Sequence, residues 1–268
     1  MVISHLHAAR FHGLPAPLGG WGTPVLTART GPTRTTGTHQ VLVAPLADVE
    51  VLADGWLAVT SPVRTMADCL RTLPERDGLA MLDAALRLCL LTSTDLQQAI
   101  VRCRGWPGAP RARRVAPLGN GRRESALESW SAWAFHSEGM PAPMWQVDVH
   151  DSAGRWLARV DGWWPEGVVG EADGRAKYRL EAAERGGADA AGLAAVLDRE
   201  RRREKGLRRA GAEVVRWGAA DVLASTRAAE LAVHLLRELR RARARHAFDG
   251  SAHEHRTRTR PSAGRARW

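Results

Sequence analysis

A chain of 268 residues with 44% hydrophobic side chains and 11 Trp can bury a real core, in one large or two ordinary domains. The formal net charge is +10, but seven Arg and no acid lie in 102–123 and nine Arg against two acids in 240–268, so the remainder is net acidic. No run of about 18 apolar residues is present, which excludes a membrane-spanning helix, and three scattered Cys without C-x-x-C spacing exclude a disulfide framework.

The start, MVISHLHAARFHG, lacks the charged-then-apolar order of a signal peptide, so a cytoplasmic protein without membrane contact is expected. All but two of the 39 basic side chains are Arg, the skew a GC-rich genome produces, so the basicity is only in part a nucleic-acid signal.

In chain order, Ser4 is placed to cap a short helix from His5 to His12, closed by Gly13. Residues 24–29 and 39–46 read as strands, and two more flank the hairpin dipeptide Asp54-Gly55. Three helices follow, starting at Pro62, at Glu75 and at the Ser93 or Thr94 cap. Leu79, Leu82, Ala85, Leu86 and Cys89 face inward on the second, and Cys69 is a small core residue of the first. Residues 1–103 thus form a small α+β domain. Residues 104–123, rich in Gly, Pro and Arg, read as a basic linker.

A helix opens at Glu124 and is stopped by Gly139 and Pro141; Glu128 lies one turn in. A strand over 144–151 leads to the acidic hairpin, Trp156–Trp164 and Val168–Ala172, joined through Pro165-Glu166-Gly167. Centring the turn on Glu166 makes partners sum to 332, which sets Asp161 opposite Glu171, with Asp173 on the same face. Three carboxylates on one patch repel, and a hard divalent cation would relieve them; the alternative is an acidic face paired with Arg155, Arg159 or Arg175. A helix over 188–209, a strand over 213–217 and a helix over 220–245 complete residues 124–245, and 246–268 reads as a disordered basic tail.

Two resemblances add to this reading. SHxxAAxxHGL at Ser4–Leu14 and VTSPxRTxxD at Val59–Asp68 resemble abortive-infection-type (AbiEi-like) antitoxin and regulator proteins of actinobacteria. That resemblance implies a regulator of the type IV antitoxin kind with a cognate toxin as partner. In that family a winged helix precedes the segment, whereas here Met1 nearly abuts it, so a truncated N-terminus is expected.

The second half carries ESxxES at Glu124, RVDxxWPE at Arg159 and ExDGxxKY at Glu171, followed by the basic helix and EVVRW. This order resembles restriction-endonuclease-like (PD-(D/E)XK) domains related to very-short-patch-repair endonucleases. It implies an α/β fold, a mixed sheet flanked by helices, and Mg²⁺- or Mn²⁺-dependent hydrolysis of DNA. Glu128 (or Glu124), Asp161 and Glu171 would be the metal ligands. Where the superfamily has Lys two residues after the last acid, this chain has Asp173, and Lys177 is the lysine nearest to supply that cation. The expected function is an active or degenerate DNA endonuclease; the competing expectation is a non-catalytic DNA-binding regulator. Arg201, Arg202, Arg203, Arg208 and Arg209 could hold phosphates, though a salt-bridged helix face is the stronger reading, and Tyr178 and the Trp163–Trp164 pair could stack bases or fill the core.

Overall fold

In the computed structural model, which describes residues 1–173, 190–245 and 248–255, two mixed sheets flanked by helices make an α/β chain. It divides into two units, one over Met1–Ser129 and one from Trp130 on. Among the described residues no helix is long and apolar enough to cross a membrane.

In the first unit, β1 (Val2–Ser4), α1 (His5–Phe11), β2 (Val25–Ala28), β3 (Arg34–Thr35), β4 (Gln40–Val43), β5 (Val51–Asp54) and β6 (Leu57–Thr60) precede α2 (Pro62–Thr72), α3 (Glu75–Arg87), α4 (Ser93–Arg102) and α5 (Ala109–Val115). The sheet order is β3-β4-β2-β1-β6-β5, with β1 parallel to β6 and antiparallel to β2. The Asp54-Gly55 hairpin forms as expected, Gly55 taking φ +57°. Ser61 caps α2 by accepting the Arg64 N–H, with Pro62 in the first turn.

Ser4 does not cap α1. Its hydroxyl accepts from Thr27 Oγ1 and donates to the Val25 carbonyl, tying β1 to β2, and His5 turns the chain at φ +54°. Cys89 is exposed rather than inward, because α3 ends at Arg87 and Cys89 turns at φ +55° beyond it.

Residues 104–123, expected as a linker, contain helix α5 with Ala109, Ala112 and Val115 buried. That narrow apolar stripe is hidden in sequence by the arginines around it, and internal acids neutralise several of those arginines. Asp83 takes Arg123 Nη2 at 2.9 Å, Ser129 Oγ at 2.6 Å and the Asn120 N–H at 2.6 Å. Arg114 pairs with Glu75, and Arg111 donates to the carbonyls of Arg71 and Thr72. Buried Asp68 lies between Arg64 at 2.9 Å and Arg71 at 2.6 Å, and both guanidinium groups lie over Trp106, at 4.8 and 5.0 Å. Gly108 is obligatory at φ +79°, since a side chain there would meet the Arg71 carbonyl oxygen at 2.1 Å.

Helix α6 (Ala126–Ser137) leads into the second unit, formed by β7 (Met144–Asp151), β8 (Trp156–Trp164), β9 (Val168–Ala172), α7 (Ala190–Arg209), β10 (Glu213–Trp217), α8 (Ala219–Leu223), α9 (Ser225–Arg245) and β11 (Gly250–Glu254). Sheet order is β10-β9-β8-β7-β11, with only β9 and β10 parallel.

The expected hairpin register holds: Gly162↔Gly170, Trp163↔Val169 and Trp164↔Val168 all sum to 332. Phe135 packs against Trp164 and Trp217 at ring distances of 5.9 and 5.2 Å, and the Trp217 indole N–H reaches Ser131 Oγ at 2.6 Å. Gly170 makes room for those indoles, since a Cβ there would come within 2.5 Å of Trp217. Val147, Val149, Ala158, Val160, Trp163 and Val169 join Leu207 of α7 in one buried cluster.

The tail was expected to be disordered from residue 246, but residues 250–254 form β11 against β7. Phe248 anchors it edge-on to Trp163 at 4.7 Å.

Candidate functional site

Helix α7 lies against β8 and β10 and brings its acids and arginines over the end of the hairpin. The β8–β9 ladder ends at Gly162↔Gly170, and one residue further Asp161 uses its side chain instead. Its Oδ2 accepts the Ala172 N–H at 2.9 Å and its Oδ1 faces Gln146 Nε2 at 3.4 Å. Burial pushes the Asp161 carboxyl above its ordinary range, against the pull of the Ala172 N–H, Arg203, Gln146 and Arg159.

Glu171 sits on β9, its side chain 12% exposed, with Oε1 3.0 Å from Arg203 Nη2 but in no hydrogen-bonding alignment with it. Burial raises its carboxyl to about 7; Arg203 opposes this and Asp161 adds to it. Asp161 and Glu171 are therefore near neighbours whose carboxyls burial raises, with Arg203 pulling both back.

The compensating cation is Arg203. It forks onto Glu200 and donates Nη1 to the Arg159 carbonyl at 3.0 Å. Burial works against its charge, and Glu200 and Glu171 more than offset that, holding it above the usual arginine range. Glu200 also accepts from Arg216 at 2.8 Å, and Arg216 bridges on to Glu204 at 2.6 Å. Arg208 pairs with Glu204 and Arg201 with Asp198, so this face of the helix is salt-bridged.

Gln146 carries no signal of its role in the sequence. It is 5% exposed on β7 with φ +55°, a left-handed conformation inside a strand that costs about 1–3 kcal/mol. The β7–β8 pairing steps from Trp145↔Gly162 to Val147↔Val160 around it. The sequence shows only a polar residue at an alternating position, and residue type does not announce positive φ.

Asp173 is exposed just past the end of β9, its backbone N–H bonded to the Trp217 carbonyl at 2.9 Å. Among the described residues no three His, Cys, Asp or Glu side chains gather closely enough to hold a metal, so the expected three-carboxylate patch is a pair. Glu128 lies in the first unit, where its carboxylate accepts the Glu124 N–H at 3.1 Å and the Ser125 hydroxyl at 2.8 Å at the start of α6. Lys177 and Tyr178 lie outside the described residues. Trp163 and Trp164 are buried in the core, which removes them as stacking platforms. Among the described residues of the second unit a surface indole is Trp156, 59% exposed and held by Asp148 Oδ1 at 3.0 Å.

No family model matches the chain, and no solved structure matches it. Two proteins from two strains of Mycobacterium tuberculosis, each named only as an uncharacterized protein, are 34% identical to it over 168 residues. The match covers 60% of this chain and 60% of each relative, so the chain spans less than two thirds of their length.

Proposed function

We propose that this chain is a metal-dependent DNA endonuclease whose second unit has the restriction-endonuclease-like fold. The observation that carries the reading is the pair Asp161 and Glu171 on adjacent strands, both half-buried with their carboxyls raised by burial, and a Glu171 oxygen that Arg203 meets off-line at 3.0 Å. Hard carboxylate oxygens suit Mg²⁺, with Mn²⁺ as a substitute, and Asp161 and Glu171 would hold it. Such an ion supplies an activated water and neutralises charge on the scissile phosphate.

The chain's own residues do the rest. The Ala172 N–H and Gln146 fix the Asp161 carboxylate from two sides, so one oxygen position is set before any ligand arrives. Glu171, raised to about 7 chiefly by burial, is drawn toward its ionised form by Arg203 and would be drawn further by a bound cation. Lys177, outside the described residues, would be the lysine to supply the cation that Asp173 does not.

The test is cleavage of supercoiled plasmid by the full chain with Mg²⁺ or Mn²⁺. The expected result is nicking or linearisation that Asp161→Asn and Glu171→Gln abolish while DNA binding persists. Cleavage that survives both substitutions would remove these residues from the reaction.

The second reading is a non-catalytic DNA-binding regulator, and the contact of Arg203 with Glu171 favours it, because a guanidinium already meets part of the acid's need for charge. It predicts salt-sensitive DNA binding without cleavage under any divalent ion.

A further inference from the structure

Arg203 engages its neighbours unequally. Toward Glu200 it presents Nε at 3.0 Å from Oε2 and Nη2 at 2.8 Å from Oε1, a two-point fork that fixes geometry as well as charge. Nη1 donates to the Arg159 carbonyl at 3.0 Å. Toward Glu171 there is one approach, Nη2 at 3.0 Å from an oxygen that makes no hydrogen bond. The same nitrogen thus serves two carboxylates, one as part of a two-point fork and one through a single, poorly aligned ion-pair contact.

We infer that Arg203 is a resident cation that competes with a divalent ion for Glu171, and that Glu200 is the partner on which it stays when the ion takes its place. The inference rests on the metal-site reading above. Without an ion, the guanidinium balances Glu171. With one, Glu171 turns to the metal while Arg203 keeps the Glu200 fork and the Arg159 carbonyl. The exchange requires no new protein contact, because both retained partners are already in place. Arg216, which shares Glu200 at 2.8 Å, sets how much of that carboxylate Arg203 can claim. Arg203 is therefore a positioning residue that tunes the occupancy of the site.

Simple charge counting also predicts that losing an arginine strengthens cation binding and that losing a glutamate weakens it. Coupling separates the two accounts. Mn²⁺ alone is titrated into the full chain, with the free ion read by electron paramagnetic resonance. Arg203→Gln is expected to bind Mn²⁺ about tenfold more tightly. Glu200→Gln is expected to bind it about threefold more weakly, because Arg203 then loses the carboxylate that competes with Glu171 for it. In the double variant the Glu200 effect should vanish, leaving the affinity of Arg203→Gln.

An unchanged affinity in Arg203→Gln, or a Glu200 effect that persists in full in the double variant, overturns the competition. Glu200, 38% exposed, keeps the test alive should Arg203→Gln fail to fold, since unchanged Mn²⁺ affinity in Glu200→Gln overturns it alone. Asp161→Asn separates the two levels. If it abolishes Mn²⁺ binding while the Arg203 and Glu200 variants behave as wild type, only the competition falls. If it leaves Mn²⁺ binding untouched, the metal site and the competition fall together.

Discussion

Asp68 and Asp83 in the first unit and Asp161 and Glu171 in the second are held in different ways. In the first, Asp68 lies between two arginines, both over Trp106, and Asp83 receives Arg123, Ser129 and the Asn120 N–H. In the second, Asp161 has one backbone N–H and a long amide contact, and Glu171 shares Arg203 with Glu200 while Arg216 stands opposite it on β10. A buried acid surrounded by donors is part of the scaffold, and removing it strands its partners. A half-buried acid with few donors is a cost the fold carries, and carboxyls raised in that way concentrate at functional sites.

The sharpest way to break this contrast is to neutralise one acid in each unit. Asp68→Asn should cost about 3–5 kcal/mol in urea unfolding, because two buried guanidinium groups lose their counter-charge. Asp161→Asn should change stability by less than about 1 kcal/mol, or raise it, since the burial penalty on the charge disappears. Equal losses in both variants would erase the distinction.

A second expectation concerns pH, and the buried histidines of the first unit and Glu171 of the second should respond with opposite sign. In the first unit burial holds His5 below its ordinary value, with Asp68 raising it and Arg71 and Arg64 lowering it, and burial likewise lowers His12, whose Nε2 donates to the Thr60 carbonyl at 2.8 Å. The unfolded chain takes up these protons first, so the stability they protect is complete above about pH 6.5 and is lost as pH falls below it. Glu171, raised to about 7, is protonated more readily when folded, so its contribution is complete near pH 4 and is lost as pH rises through about 7. Hydrogen exchange read separately in β1–β6 and β7–β10 at pH 5 and pH 8 should show the first sheet better protected at pH 8 and the second at pH 5. His5→Asn should flatten the first trend, and Glu171→Gln the second.

The smallest effect is at Gln146. Gln146→Gly relieves a left-handed backbone and should leave the melting temperature within a few degrees of wild type or above it, equivalent to about 1 kcal/mol at most. It should also weaken Mn²⁺ binding through loss of the contact to Asp161. A large loss of stability would show that the amide is a core element instead.

Much of the frame is legible in the sequence. The hairpin register follows from Pro165-Glu166-Gly167, because a tight turn fixes every pairing beyond it. Leu231, Leu235 and Leu239 follow from helical spacing. What escapes is what depends on distant partners. Helix α5 is masked by arginines whose acids lie 39 or 40 residues away, as Arg114 and Arg123 show. Arg203 sits within a run of three arginines that local spacing cannot tell apart; only the packing of α7 on β8 selects it. Asp173 is displaced from the expected face because β9 stops one residue short of it.

The strand contributed by Gly250–Glu254 has a consequence for handling this protein. It takes up the outer hydrogen-bonding edge of β7 along Asp151 to Val147, with Phe248 pinned on Trp163. Cutting the chain at Arg245 would bare a row of unsatisfied amides and carbonyls beside Val147 and Val149, a template for another molecule's backbone. Such a fragment should associate edge to edge and precipitate on concentration, whereas one carried through His255 brings its own stopper.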